Sequence, residues 1–244
     1  HRFPPYVISA LKVLICIPTY NEAENIAGIV EAIFSLDVGF DILVIDDGSP
    51  DGTAEMVRKL MSSHERLQLL EREEKGGLAS AYVAGFRYSV QHGYDVVGEM
   101  DADFSHPPEA LREVRRLLES GDYDFLVGSR YTAGGGTKNW GLVRKLISRF
   151  GSQYARMILG VPIRDMTGGF NFWTRRALEA IGIDRIMAEG YCFQIELKTR
   201  ACRGGMRYTE FPIIFEDRRL GQSKMSKRIV LEAFYKVLLL RFKL

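Results

Sequence analysis

Cysteine is scarce in this chain, and the three present, Cys16, Cys192 and Cys202, show no CxxC spacing. An odd, scattered set argues against a disulfide framework and fits a reducing compartment. Histidine is equally sparse. His1, His64, His92 and His106 form no ligand-spaced cluster, so a zinc centre is not expected. The closing RIVLEAFYKVLLLRFKL is too interrupted by charge to supply the roughly 20 mainly apolar residues of a membrane-spanning helix. The opening HRFPPYVISALKVLICIPTY is broken by prolines and runs into a strand, so no signal peptide is expected. Neither charge dominates: 33 Lys and Arg against 31 Asp and Glu leave a formal +2, no field for holding nucleic acid. Two phosphate cradles are also missing. GxGxxG does not follow the first strand and GxxxxGK[ST] occurs nowhere, which counts against dinucleotide oxidoreductases and P-loop NTPases.

What the chain does have is alternation. LKVLICIPTY, FDILVIDD, LQLLER, YDVVGEMDAD and DFLVGSRY read as short buried strands. Between them, apolar residues recur at helical spacing, as in Ile26, Ile29, Val30, Ile33 and Phe34, with Asn21 as the expected N-cap. PPEALREVRRLLESG reads as a helix with prolines at its start. This β-α-β-α order predicts an α/β fold, a mostly parallel sheet flanked by helices. Beyond residue 131 the order loosens. A Gly-rich loop TAGGGTKNWG leads to a basic helix near 142–159 and a Gly-rich RDMTGGFNFW. A helix at CFQIELKTRACRGG, a strand MRYTEFPIIF, a polar loop EDRRLGQSKMS and a last helix follow. A length of 244 residues suits one domain, 1–244, in two halves of about 12–131 and 132–244.

Ligands of open parallel sheets sit beyond the carboxyl ends of the strands. Three strands carry polar residues there: PTYNE at 18–22, DDGSPDGT at 46–53 and DADFSH at 101–106. Asp101 and Asp103 are two apart, so in an extended segment both carboxylates face one side. Their repulsion calls for a hard divalent cation, which Mg²⁺ chemistry meets with one or two carboxylates plus phosphates and water.

Together PTYNE, DDGSPDGT, MDADFSHPPE, GSRY, GYCFQIE and DRRLGQSKMS resemble family 2 glycosyltransferases of the GT-A fold. Within these, the chain is most similar to the dolichol- or polyprenol-phosphate mannosyltransferase group, from about residue 12 to about 230. The resemblance implies that Pro18, Tyr20, Glu22, Ile45 and Asp47 hold the nucleoside. It implies that Asp101, Ala102 and Asp103 bind the diphosphate and a Mg²⁺ or Mn²⁺ ion. Ser105 stands where some members have Gln, as a direct ligand or through a bridging water. Arg130, Arg144, Arg218 and Lys224 match a basic set around the donor and acceptor phosphates. Ser148, one turn after Arg144, would face the acceptor with it. The first half becomes the nucleotide-sugar half and the second the acceptor half.

The implied reaction moves mannose from GDP-mannose to a polyprenyl or dolichyl phosphate, inverting the α donor to a β product. A phosphate monoester is already largely dianionic at neutral pH. It needs orientation and charge cancellation rather than a general base, so His106 reads as structural. The run of Arg144, Lys145 and Arg149 has a plain alternative as a solvated helix face, and Arg218 and Arg219 could pair with Glu216 and Asp217. The closing RIVLEAFYKVLLLRFKL offers Leu231, Phe234, Tyr235, Leu238, Leu239 and Phe242 as an apolar face ringed by Lys and Arg. That pattern suits a helix lying in a membrane interface, or docking on a small membrane-anchoring subunit. The expected location is therefore peripheral, on the cytosolic face of the ER membrane in a eukaryote or of the plasma membrane in a prokaryote. A UDP-glucose donor or an inactive nucleotide-sugar-binding scaffold remain alternatives.

Overall fold

The structure, a computed structural model, describes residues 11–73, 76–217 and 227–244, with side chains from residue 234 onward in the last helix. The first half runs β1 (Val13–Thr19), α1 (Ala23–Phe34), β2 (Asp41–Asp46), α2 (Thr53–Met61), β3 (Leu67–Glu71), α3 (Leu78–Gln91), β4 (Val96–Glu99), α4 (Ala110–Glu119) and β5 (Phe125–Ser129). The second adds β6 (Gly136–Lys138), α5 (Leu142–Leu159), β7 (Asn171–Thr174), α6 (Arg175–Ile181) and a 3₁₀ turn at Ile183–Arg185. It ends with α7 (Tyr191–Arg203), β8 (Tyr208–Pro212), β9 (Ile214–Glu216) and α8 (Lys227–Lys243).

Seven strands form one sheet in the order β3-β2-β1-β4-β7-β5-β8, and β6 pairs with β9 apart from it. All main-sheet pairings are parallel except those of β7, which runs antiparallel to both β4 and β5. The sheet is buried on both faces, and the period of two along each strand decides which face receives which side chain. Val13, Ile15 and Ile17 meet Ile26, Ile29, Val30 and Ile33 of α1 with residues of α2 and α4. Leu14 and Cys16 meet Tyr82 and Phe86 of α3 with residues of α5 to α8. Gly85 lets α3 approach closely: a Cβ there would stand 2.6 Å from Cys16 Sγ and 2.8 Å from Ile45 Cδ1.

Several expectations need correction. Asn21 is not the N-cap. It sits at φ 61° and donates its N–H to Ser49 Oγ at 3.0 Å, while Glu22 holds the cap position. The fourth strand stops at Glu99, so Asp101 and Asp103 occupy a turn rather than an extended end. The helix after Pro107 and Pro108 begins only at Ala110. RDMTGGFNFW hides β7, TAGGGTKNWG hides β6, and the single strand expected at 206–215 splits into β8 and β9 around Ile213. On α8, Tyr235, Leu238, Leu239 and Phe242 of the expected apolar face are exposed, as a surface face would be, while among the described side chains Val237 and Leu240, outside that face, are buried. Leu231 lies outside the described side chains.

Candidate active site

Because β2, β1 and β4 are adjacent and parallel, the turns after all three open on one edge of the sheet. Strand β7, reversed between β4 and β5, gives β5 the same direction as β4. Arg130, the residue after β5, therefore emerges on the edge that carries Asp101 and Asp103. A cavity of about 320 Å³ opens there, lined by Asp101, Asp103, Ser105, His106, Arg130, Trp140, Arg144 and Ser148. It continues between α5, α7 and α8 along Ile147, Tyr154, Ile195, Phe234 and Val237. One end is charged and the other apolar.

The turn after β4 is shaped locally. Asp103 is buried and its Oδ1 accepts the Ser105 N–H at 3.0 Å, while Phe104 takes φ 62°. The Phe104 ring lies against Gly28 of α1, where a Cβ would come within 3.2 Å. The Asp101 N–H donates to His106 Nδ1 at 3.1 Å, and the buried imidazole stacks on Phe170 with centroids 5.1 Å apart. Burial holds His106 below its ordinary value, and with Nδ1 accepting, the neutral ring carries its proton on Nε2. The turn brings both carboxylates to the cavity, which strand periodicity would have done in an extended segment.

Two arginines face this turn. Arg130 directs Nε and an Nη nitrogen at the buried Asp165, and a further contact reaches Thr167 Oγ1 at 2.9 Å. Lys198 of α7, fully buried, fixes the 165–168 turn by donating to Asp165 O at 2.8 Å and Gly168 O at 2.7 Å. Burial lowers the Lys198 ammonium and raises Glu99, which accepts from Trp173 and Gln194. Arg144 pairs with Asp217 at 2.7 Å and lies over the Trp140 ring, 4.1 Å from its centroid. Glu216 pairs with Lys138 at 3.2 Å. The two acids thus meet Lys138 and Arg144, whereas Arg218 and Arg219 lie outside the described residues. Lys145 and Arg149 are exposed, and Ser148 Oγ accepts from the Tyr131 hydroxyl at 2.8 Å.

The nucleoside set lies elsewhere along the same edge, outside the cavity lining. Tyr20 is exposed, Pro18 and Glu22 are half-buried, and Glu22 accepts from Asn25 Nδ2 at 2.9 Å. Asp47 is buried and paired with Arg72 at 2.9 Å, and Arg72 in turn reaches Ser80 Oγ at 2.8 Å. Ile45 is wholly buried in the core, so only its main chain could meet a nucleoside, and Ala102 is buried as well. Lys224, like Arg218, lies outside the described residues. Sequence reasoning missed Arg72, Trp140, Asp165, Thr167 and Lys198. Among them only Trp140, a lone indole in a Gly-rich loop, carried a local signal.

The acidic turn fits a hard cation. Its donors are oxygens, both carboxylates face the cavity, and the Ser105 hydroxyl is buried with no hydrogen-bond partner among the described residues. No group of three or more His, Cys, Asp or Glu side chains placed to hold a metal occurs among the described residues. Two carboxylates leave coordination positions for oxygens of a bound diphosphate.

Residues 14–182 match the sequence profile of Glycosyl transferase family 2. The chain is 43% identical over 235 residues to a polyprenol monophosphomannose synthase of Mycolicibacterium smegmatis, covering 96% of this chain and 88% of that protein. It is 43% identical over 228 residues to an undecaprenyl-phosphate mannosyltransferase of Micrococcus luteus, covering 93% of each. In fold it resembles the mannosyltransferase PcManGT of Pyrobaculum calidifontis, solved with GDP-Man and Mn²⁺. That match has a TM-score of 0.59 at 19% identity and covers 95% of this chain and 63% of that one.

Proposed function

The chain belongs to glycosyl transferase family 2, and from that premise we propose that it moves mannose from GDP-mannose to a polyprenyl monophosphate with inversion at the anomeric carbon. The observation that carries this reading is the two-ended cavity, with Asp101, Asp103, Arg130 and Arg144 at one end and an apolar wall of α5, α7 and α8 at the other. A diphosphate and a phosphate suit the charged end, and an isoprenoid tail suits the apolar one. The names of both 43%-identical relatives support the acceptor class and the sugar. A neighbour of the same fold that binds GDP-Man with Mn²⁺ supports the donor.

Each residue then has a task. Asp101 and Asp103, with Ser105, would hold Mg²⁺ or Mn²⁺ against the donor diphosphate. When bound, such a cation supplies Lewis-acid neutralisation of the charge gathering on the leaving nucleoside diphosphate. Arg130 and Arg144, with Ser148, orient the acceptor phosphate and cancel its charge, since guanidinium matches phosphate oxygens in planar pairs. Arg218 and Lys224 complete the basic set. Pro18, Tyr20, Glu22, Asp47 and the main chain at Ile45 take the nucleoside. The acceptor arrives deprotonated, so no side chain removes a proton.

The acceptor's tail requires a lipid surface nearby. No described helix is long and apolar enough to cross a membrane. On α5, however, Leu142, Val143, Leu146, Phe150 and Met157 are exposed, and at 100° per residue they fall on one stripe. Lys145, Arg149 and Arg156 flank that stripe, and Phe150 meets Phe234 of α8 at 5.9 Å. Apolar residues bordered by cations fit the surface of a bilayer carrying anionic lipid. The protein is therefore read as peripheral, seated on a membrane through α5 and α8.

The deciding experiment incubates the protein with labelled GDP-mannose, a polyprenyl phosphate and Mg²⁺ or Mn²⁺, then extracts with organic solvent. Labelled lipid is the expected product, lost in Asp103→Ala. Label delivered only from UDP-glucose would replace the donor, and no transfer from a folded protein would sink the reading.

A further inference from the structure

Two buried nitrogen donors at the charged end of the cavity have no hydrogen-bond partner among the described residues: Trp140 Nε1 and Arg144 Nε. Trp140 is 8% exposed and stands two residues before α5. Its ring lies beside both arginines, with the Arg144 guanidinium carbon 4.1 Å and the Arg130 guanidinium carbon 5.6 Å from its centroid. Phe215 meets the ring edge-on at 5.4 Å, fixing its plane.

A buried donor without an acceptor is costly, and native proteins rarely leave one unless a ligand or water completes it. Here two such donors belong to side chains stacked on one another. The indole face attracts cations, so the ring adds a further contact to two guanidiniums already paired with Asp165 and Asp217. Unmet N–H groups, one of them on a guanidinium, call for an oxygen acceptor. One edge of Arg130 is turned to Asp165 and one nitrogen of Arg144 to Asp217, but the Trp140 and Arg144 Nε hydrogens meet no acid among the described residues.

We infer that Trp140 is an acceptor-binding residue, its indole N–H and the Nε–H of Arg144 receiving oxygens of the isoprenyl phosphate while its ring packs against the two guanidiniums. The inference rests on the acceptor reading given above and adds to it a neutral residue.

Trp140→Phe keeps an aromatic face for the arginines and removes the N–H. With a short, soluble isoprenyl phosphate as acceptor, its KM should rise roughly tenfold, the usual worth of one hydrogen bond to a charged group. The KM for the sugar nucleotide and the melting temperature should not move. An unchanged acceptor KM overturns the inference, as does a parallel rise in both KM values with a lower melting temperature. A second measurement needs no turnover. The chain has two tryptophans, and the emission lost in Trp140→Phe is that of Trp140. In the wild-type protein this emission should respond to isoprenyl phosphate and not to the matching isoprenol. No response to the phosphate, or an equal response to the alcohol, overturns the inference. If sugar is transferred while Trp140→Phe matches wild type, this role fails and the reaction stands. If no sugar is transferred but the emission responds, the reaction fails and the anion site stands.

Discussion

One edge of the Arg130 guanidinium is turned to Asp165, with Nε 2.8 Å from Oδ2 and an Nη nitrogen 2.6 Å from Oδ1. Both side chains are buried and held together at two points. Asp165→Asn removes the carboxylate that this edge of the buried guanidinium donates to and should cost about 3 kcal/mol of folding stability. Denaturant unfolding at neutral pH checks this.

The same pair predicts an acid limb. Burial alone would raise the Asp165 carboxyl, but the Arg130 charge and hydrogen bonds carry it below the usual carboxylate range. A depressed folded value means the stabilisation is fully present above the unfolded value of about 4. It is lost as pH falls through the lower folded value. The stability gap between wild type and Asp165→Asn should therefore close in that acid window. A gap that stays constant below about pH 3 would refute the coupling.

Close approach of α3 to the sheet predicts a packing penalty at Gly85. In Gly85→Val the first added carbon meets Cys16 and Ile45 inside ordinary contact distance. Overpacking of this kind costs roughly 1–3 kcal/mol, to be read as a lower denaturation midpoint with no change in slope.

Chelation should abolish transfer, and Mg²⁺ or Mn²⁺ should restore it. In Asp101→Asn the half-saturating metal concentration should rise by an order of magnitude or more, because the pair loses one of two carboxylates. Activity that persists in excess EDTA would remove the cation from the scheme.

The exposed stripe on α5 makes a prediction about membranes. Leu146 is 59% and Phe150 61% exposed, so Leu146→Glu with Phe150→Glu should leave the fold intact. Co-sedimentation with vesicles containing anionic lipid should fall at least roughly tenfold. Transfer to a short soluble acceptor should persist. Unaltered sedimentation would point to a protein anchor or to no docking at all.

Much of the first half could be read from the chain because its signals are local. Each strand is a short apolar run ending in a polar turn, and parallel neighbours place those turns together. That rule put the acidic pair at the sheet edge, where it lines the cavity even though the strand ends before it. What escaped was set by contacts distant in sequence. Asp165 meets Arg130 across 35 residues, a distance no spacing rule covers. Strand β7 is four residues that follow Gly168, Gly169 and Phe170, too short for a periodic pattern. On α8 the apolar residues surround much of the helix, so composition could not tell Val237 from Leu238. The neighbouring α5 and α7 decided which one faces inward.

The reversed strand β7 also bears on how the molecule comes into being. Strands β4 and β5 are consecutive in the chain yet not neighbours, and the gap between them is filled only by residues 171–174. As a ribosome delivers the chain, β1 to β4 and their acidic turns can assemble early from nearby segments, whereas β5 must wait for a segment made some forty residues later. Synthesis order would thus let the half that carries the aspartates assemble before the wall that carries Arg130. A nascent or truncated chain ending before residue 171 would hold the acidic turn without a chamber to enclose it.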